Sequence, residues 1–327
     1  MATYKEIKGT TIESLSSDPS NPIDGQMWYN STSAELKGYV NVSSGSWATG
    51  NDMNNARYIP GAAIAATQTA GLIFGGYKVG EPAAAAYSEE YNGTNWTEGN
   101  NLNNNREALA GAGTQTSGLA FSGYKDANEN YTETYNGTSW TEVNNLNQAR
   151  RYPSGAGEVN TAALCIGGRT TPPSPIVAIV ESWNGSNWTE VNDLNTARST
   201  SSAAGSSTAA LCFGGSPPYL ANNEIWNGTN WTEVNDLNTG RSGAGGCGST
   251  TAALCFGGST PPSSALTENY NGTNWTEDGD LNEARYNGGG MGTSLSALYG
   301  GGYNTTGVAS TEEWTGPYEE TRTFTAS

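Results

Sequence analysis

Trp188-Thr-Glu-Val-Asn-Asp-Leu-Asn-Thr-Ala-Arg198 decides the fold of this 327-residue chain, because variants of it occur six times. Aligned on Trp47, Trp96, Trp140, Trp188, Trp231 and Trp275, the copies step by 49, 44, 48, 43 and 44 residues. Six residues after each Trp stands Met53, Leu102, Leu146, Leu194, Leu237 or Leu281. Ten residues after it stands Arg57, Arg106, Arg150, Arg198, Arg241 or Arg285. A short apolar run ending in Gly follows, as in Leu72-Ile-Phe-Gly-Gly76 and Leu211-Cys-Phe-Gly-Gly215. Next comes an aromatic residue: Tyr91, Tyr135, Trp183, Trp226, Tyr270 or Trp314. Two residues before it stands Glu89, Glu133, Glu181, Glu224, Glu268 or Glu312. In the first five copies Asn-Gly follows the aromatic, and the next Trp comes five residues after it.

Each unit reads as four short strands. The first is rich in Gly, Ala and Ser, the second is the apolar run, the third is Glu-x-aromatic, and the fourth starts at the Trp. Asn-Gly between apolar strands predicts a hairpin in which both residues take positive φ. No segment sustains a helical period. Four-stranded units repeating every 43–49 residues predict an all-β fold, a β-propeller with six blades. Small residues of the first strand suit a crowded axis, and the repeated Trp and Leu suit packing between blades. Closure of the ring has two solutions. Either Tyr318 to Ala326 forms the last strand of the last blade, or the strand at Trp47 completes it.

The order Gly-Gly, Glu-x-Tyr, Trp, apolar, Arg resembles the kelch-like propellers and covers about residues 47–320. That resemblance implies a six-bladed kelch-like propeller with four-stranded blades. It implies no one function, since such propellers serve enzymes, adaptors and structural proteins.

Composition narrows the function. The chain has 14 basic and 31 acidic residues, a net charge of −17, which repels phosphate backbones and argues against nucleic acid. It contains no His, which removes Ser-His-Asp and Cys-His catalysis and His-ligated metal sites. Cys165, Cys212, Cys247 and Cys255 match no zinc or redox spacing and read as buried thiols. A hairpin bridge between Cys247 and Cys255 is the alternative. Asp278-Gly-Asp280 lacks the spacing of a calcium loop. The opening Met1-Ala-Thr-Tyr-Lys-Glu-Ile-Lys8 has no apolar core, so no signal peptide is expected. No apolar stretch is long enough for a membrane helix, and no membrane insertion is expected. No cofactor or metal is expected. The Asn-x-Ser/Thr triplets, such as Asn227-Gly-Thr, read as turn chemistry rather than glycan acceptors.

An active site breaks repeat symmetry, whereas the six Glu and six Arg recur in every copy. They read as ion pairs holding each blade, and the six Trp as packing between blades. Paired carboxylates can cleave glycans without His, but acids at symmetric positions argue against that. The irregular aromatics Tyr77, Tyr124, Tyr219 and Tyr303 fall in loops after the second strand. Varied loops on a constant scaffold suit recognition. These loops span 78–86, 125–130, 169–175, 216–221, 259–264 and 304–310.

Residues 1–45 differ from the repeats and read as a docking segment, with residues 46–327 as the propeller. Lys5-Glu-Ile-Lys-Gly, Asp18-Pro-Ser-Asn-Pro22, Gly25-Gln-Met-Trp-Tyr-Asn30 and Leu36-Lys-Gly stand in it. Met27 to Asn30 and Glu35 to Val40 predict a small hairpin. The stretch resembles the leader of virion structural proteins of marine bacteriophages. That resemblance implies a non-enzymatic virion protein, made in the host cytoplasm and part of an oligomeric assembly. Its partners would be other virion proteins through the N-terminal segment, and a host-surface glycan or protein through the loops. The expected role is that of a tail fibre or adhesin, with capsid decoration as the alternative.

Overall fold

The computed structural model describes residues 12–80, 84–170 and 175–324, and its regular elements are all β-strands. They form two compact units. One holds the described residues of Met1–Gly45 and Gly316–Ser327, and the other is Ser46–Thr315. The larger unit thus ends at Thr315, not at the last residue.

The larger unit contains six four-stranded sheets, built from consecutive strands except at the closure and in the first sheet, where Tyr77–Lys78 intervenes and pairs with Arg57–Tyr58. In the fourth, Ser202–Gly205, Ala210–Phe213, Asn223–Trp226 and Trp231–Val234 pair in that order. The innermost strands are Gly61–Ala62, Ala110–Thr114, Ser154–Val159, Ser202–Gly205, Gly245–Gly248 and Gly289–Gly292. Each touches the next, and the last returns to the first. The fold is a β-propeller. Its axis is crowded, as the small residues of the first strand imply. A Cβ on Gly111 would sit 2.3 Å from the Ala62 carbonyl oxygen, and one on Gly155 equally close to that of Gly111.

The ring closes through the N-terminal strand. Ser46–Thr49 pairs with Thr311–Thr315, with Trp47 opposite Trp314. The alternative closure fails because Tyr318–Phe324 pairs elsewhere, with Glu35–Val42 of the smaller unit.

Each repeat Trp is buried between two blades. Trp140 packs edge-on to Phe74 of the preceding blade, with centroids 4.8 Å apart, and Trp47 packs likewise on Phe256. The indole Nε1–H donates to a hydroxyl one residue before the repeat Glu. The pairs are Trp47–Thr267, Trp96–Thr311, Trp140–Ser88 and Trp188–Thr132, at 2.8–2.9 Å. In the third blade that column holds Val180, and Trp231 Nε1 of the fourth blade is buried without a partner among the described residues. Val180→Thr is therefore expected to stabilise the propeller. A satisfied buried donor is worth about 1 kcal/mol net, a rise of roughly 2–4 °C in melting temperature. A fall on thermal denaturation would refute the argument.

The Asn-Gly turns differ from the sequence expectation. Only the glycine takes positive φ, 87° at Gly93 and 90° at Gly228. The Asn contributes its side chain instead: Asn227 Oδ1 accepts from the amides of Thr229 and Asn230 at 2.9 and 2.8 Å. The turn is an Asx turn rather than a two-residue reversal.

Cys247 and Cys255 are free and buried. The register sets Cys255 opposite Gly246 and Cys247 opposite Leu254. Directly opposed residues share a face and neighbours alternate, so the two thiols point to opposite sides of the sheet. A bridge is ruled out by that geometry. Burial pushes the Cys165 and Cys255 thiols up to about 11 and raises those of Cys212 and Cys247 as well. All four are expected to resist alkylation at pH 8 in the folded protein and to react once it is unfolded. Rapid labelling of native protein would contradict the packing.

The smaller unit is one four-stranded sheet, ordered Glu13–Leu15, Met27–Asn30, Glu35–Val42, Tyr318–Phe324. The expected hairpin is its middle pair. Its sequence motifs converge on Asp18. Asp18 Oδ1 accepts from Trp28 Nε1 at 3.0 Å and Asn30 Nδ2 at 2.7 Å, and Oδ2 meets Lys37 Nζ at 2.9 Å. These hydrogen bonds, that from Asn30 first, hold the Asp18 carboxyl down at about 2. The Lys5-Glu-Ile-Lys-Gly start lies outside the described residues.

Candidate functional site

The buried ion pairs set up one face of the propeller. Arg57–Glu89, Arg106–Glu133, Arg150–Glu181, Arg198–Glu224, Arg241–Glu268 and Arg285–Glu312 all form, with side chains at most 3% exposed. In the fourth blade Glu224 Oε2 accepts from Asn195 N and Nδ2 at 2.7 and 2.9 Å. Its Oε1 accepts from Thr196 N at 3.2 Å and Arg198 Nη2 at 2.5 Å. Arg198 Nη1 also donates to the Asn222 carbonyl at 2.7 Å. The pair pins the segment entering a blade to that blade's second and third strands. Every copy therefore delivers the two residues after its Arg to the same place.

The first of those residues forms a short backbone bridge with the residue after the second-strand glycines. The six bridges are Tyr58–Tyr77, Glu107–Tyr124, Arg151–Arg169, Ser199–Ser216, Ser242–Ser259 and Tyr286–Tyr303. In the fourth, each amide donates to the other residue's carbonyl, at 3.1 and 2.9 Å. The frame is constant and the side chains are not. Around the ring they run aromatic, mixed, cationic, hydroxyl, hydroxyl, aromatic.

The second residue closes a circuit about the axis. Ile59, Ala108, Tyr152, Thr200, Gly243 and Asn287 each donate N–H to the carbonyl of the equivalent residue in the preceding blade. Ile59 donates to Asn287 at 2.7 Å, Ala108 to Ile59 at 3.0 Å, and the circuit returns through Gly243. All six have positive φ, between 51° and 63°. For Ile59 and Thr200, β-branched, this conformation is a true outlier. It costs about 1–2 kcal/mol per residue, and the circuit's hydrogen bonds offset it. No sequence signal marks these positions, since five of the six are not Gly.

Of the tyrosines expected to lie in recognition loops, Tyr77, Tyr124 and Tyr303 fall on this frame, and Tyr219 follows it in the loop after Ser216. Tyr77 contacts Tyr58 (centroids 5.2 Å), Tyr58 contacts Tyr303 (5.2 Å), and Tyr303 contacts Tyr286 (5.4 Å). Tyr124 lies under the Arg151 guanidinium, 4.6 Å from its ring. Tyr219 is 40% exposed. With Tyr152, Arg169, Thr200, Ser216 and Asn287 it lines a recess of about 300 Å³. Tyr58, Tyr152 and Tyr286 belong to the same surface and were missed in the sequence reading. For Tyr58 and Tyr286 the signal was the position just after the repeat Arg, which changes in chemistry from copy to copy. Burial raises the phenols of Tyr58, Tyr152 and Tyr286 and the carboxyl of Glu107. Residues 81–83 and 171–174, parts of two expected recognition loops, lie outside the described residues.

Aromatic faces, guanidinium groups and hydroxyls gathered around one mouth can stack, pair and hydrogen-bond. The repeat Glu and Trp are occupied in holding blades.

No family model matches the chain, and no curated protein matches it. A solved structure titled "Structure of YjhT" is similar in fold, with a TM-score of 0.64. The match covers 80% of this chain and 95% of that one at 12% identity. At that identity the likeness is one of fold, and fold alone does not carry function.

Proposed function

We propose that this chain is a non-enzymatic bacteriophage virion protein, a kelch-like propeller that contacts the host surface through the tyrosine- and arginine-bearing face. One observation carries the reading. Six bridges at equivalent backbone positions hold four different kinds of side-chain pair: Tyr–Tyr twice, Glu–Tyr, Arg–Arg, and Ser–Ser twice. A structural subunit has no need to vary those positions, whereas a recognition surface is made by doing so. The N-terminal resemblance to phage virion leaders supplies the setting, and the smaller unit is the part that docks onto other virion proteins. The ligand is a glycan or protein of the cell surface. The repeat carboxylates take no part in glycan cleavage, because each is held in a buried ion pair.

The test is competition for adsorption. Purified protein should reduce phage attachment to host cells, and the double variant Arg169→Ser/Tyr219→Ser should lose that effect. Attachment unaffected by wild-type protein, with antibody labelling spread over the phage head, would make this a capsid decoration protein.

A further inference from the structure

Tyr318–Phe324 is an outer strand of the smaller sheet, paired among the described residues only with Glu35–Val42. Its other side presents a row of backbone N–H and C=O groups, a ready template for another strand. Seven residues is long for an unprotected edge. The strand Tyr-Glu-Glu-Thr-Arg-Thr-Phe contains no Pro and no Gly, and Tyr318 through Thr323 are exposed. Among the described residues, none of the usual devices that blunt an edge is present apart from charge.

The charges are arranged in a particular way. We propose that this edge pairs with the same edge of a second copy of the chain, antiparallel, about a two-fold axis at Thr321. In an antiparallel ladder, successive pairs alternate between hydrogen-bonded and non-hydrogen-bonded kinds. A two-fold axis exchanges the members of each pair and must preserve its kind. The axis therefore passes through a residue that faces its own copy, and only a few registers remain.

Centring on Thr321 sets Glu320 against Arg322 of the second copy, and Arg322 against its Glu320. Tyr318 then meets Phe324 at both ends, and Glu319 meets Thr323. Opposed residues share a face of the sheet, so the charges and the aromatics lie together on one side. Glu320 and Arg322 already share that side within one chain, with Arg322 Nε 2.9 Å from Glu320 Oε2. The neighbouring registers fail. Centring on Glu319 or Glu320 sets a carboxylate against itself, and centring on Arg322 sets guanidinium against guanidinium. Like charges directly opposed are destabilising. The register on Thr321 is also the one that uses all seven residues.

An edge of this length buries a small interface by the standard of permanent complexes. The result expected from sedimentation velocity on the full chain is a reversible monomer–dimer exchange that shifts with concentration. Arg322→Glu sets carboxylate against carboxylate and should weaken association at least tenfold. Glu320→Arg should do the same from the other side. The double variant Glu320→Arg/Arg322→Glu restores opposite charges in the same register and should restore the dimer. Both positions of change are exposed, and an unaltered melting curve confirms that each variant is folded. A wild-type protein that stays monomeric, a dimer indifferent to both single reversals, or a double variant that fails to recover would each overturn the proposal. None of these outcomes depends on what the propeller face recognises.

Discussion

Arg198→Ala is expected to destabilise the propeller by about 3–5 kcal/mol, the usual cost of removing one partner from a buried ion pair. Glu224 would keep its amide donors but lose its cation, and the Asn222 carbonyl would lose a donor. With both side chains at most 1% exposed, water does not replace the guanidinium. The melting temperature should fall by roughly 10 °C. Neutralising the stranded carboxylate as well, in Arg198→Ala/Glu224→Gln, should recover part of the loss. Thermal unfolding followed by tryptophan fluorescence reads both variants. If Arg198→Ala melts with the wild type, the pair carries no structural weight and the six arginines need another explanation.

Trp47→Ala should cost a similar amount, about 3–5 kcal/mol, as for other buried Trp truncations. Trp47 is 6% exposed, packs on Phe256 and Trp314, and donates to Thr267. It also sits on the strand that completes the last blade, so its loss loosens the seam of the ring. Tyr318→Ala is the control. Its side chain is 38% exposed on a strand outside the propeller, and its effect should stay below about 1 kcal/mol. Equal effects of the two substitutions would reopen the question of how the ring closes.

The blades were legible because each repeat column answers to one physical demand. Trp188 needs a partner blade, Gly111 needs a neighbour's backbone close by, and Glu224 needs Arg198. Such demands recur at a fixed period and so can be read by aligning the chain with itself. The ring closure was legible only as a choice, since Trp47 and Trp314 are joined across almost the whole chain and no local pattern announces that pairing. The left-handed circuit was invisible. Its backbone conformation is imposed by hydrogen bonds between blades, and residues as unlike as Ile59, Tyr152 and Asn287 accept it. The face of the molecule was half legible. Tyr77, Tyr124, Tyr219 and Tyr303 stood out as irregular, but their bridge partners Tyr58 and Tyr286 were hidden beside the regular Arg.

The pairing of Glu35–Val42 with Tyr318–Phe324 runs from Leu36 opposite Phe324 to Val42 opposite Tyr318. The whole propeller, Ser46–Thr315, lies between those strands in the chain. While they stay paired, a propeller that comes apart leaves a tethered loop, not a chain with two free ends. Tying off a loop this long removes conformational entropy from the unravelled state, on the order of 5 kcal/mol when the tie holds. As long as it holds, the small sheet acts as a clasp, and the blades would then refold from a loop whose ends have already met.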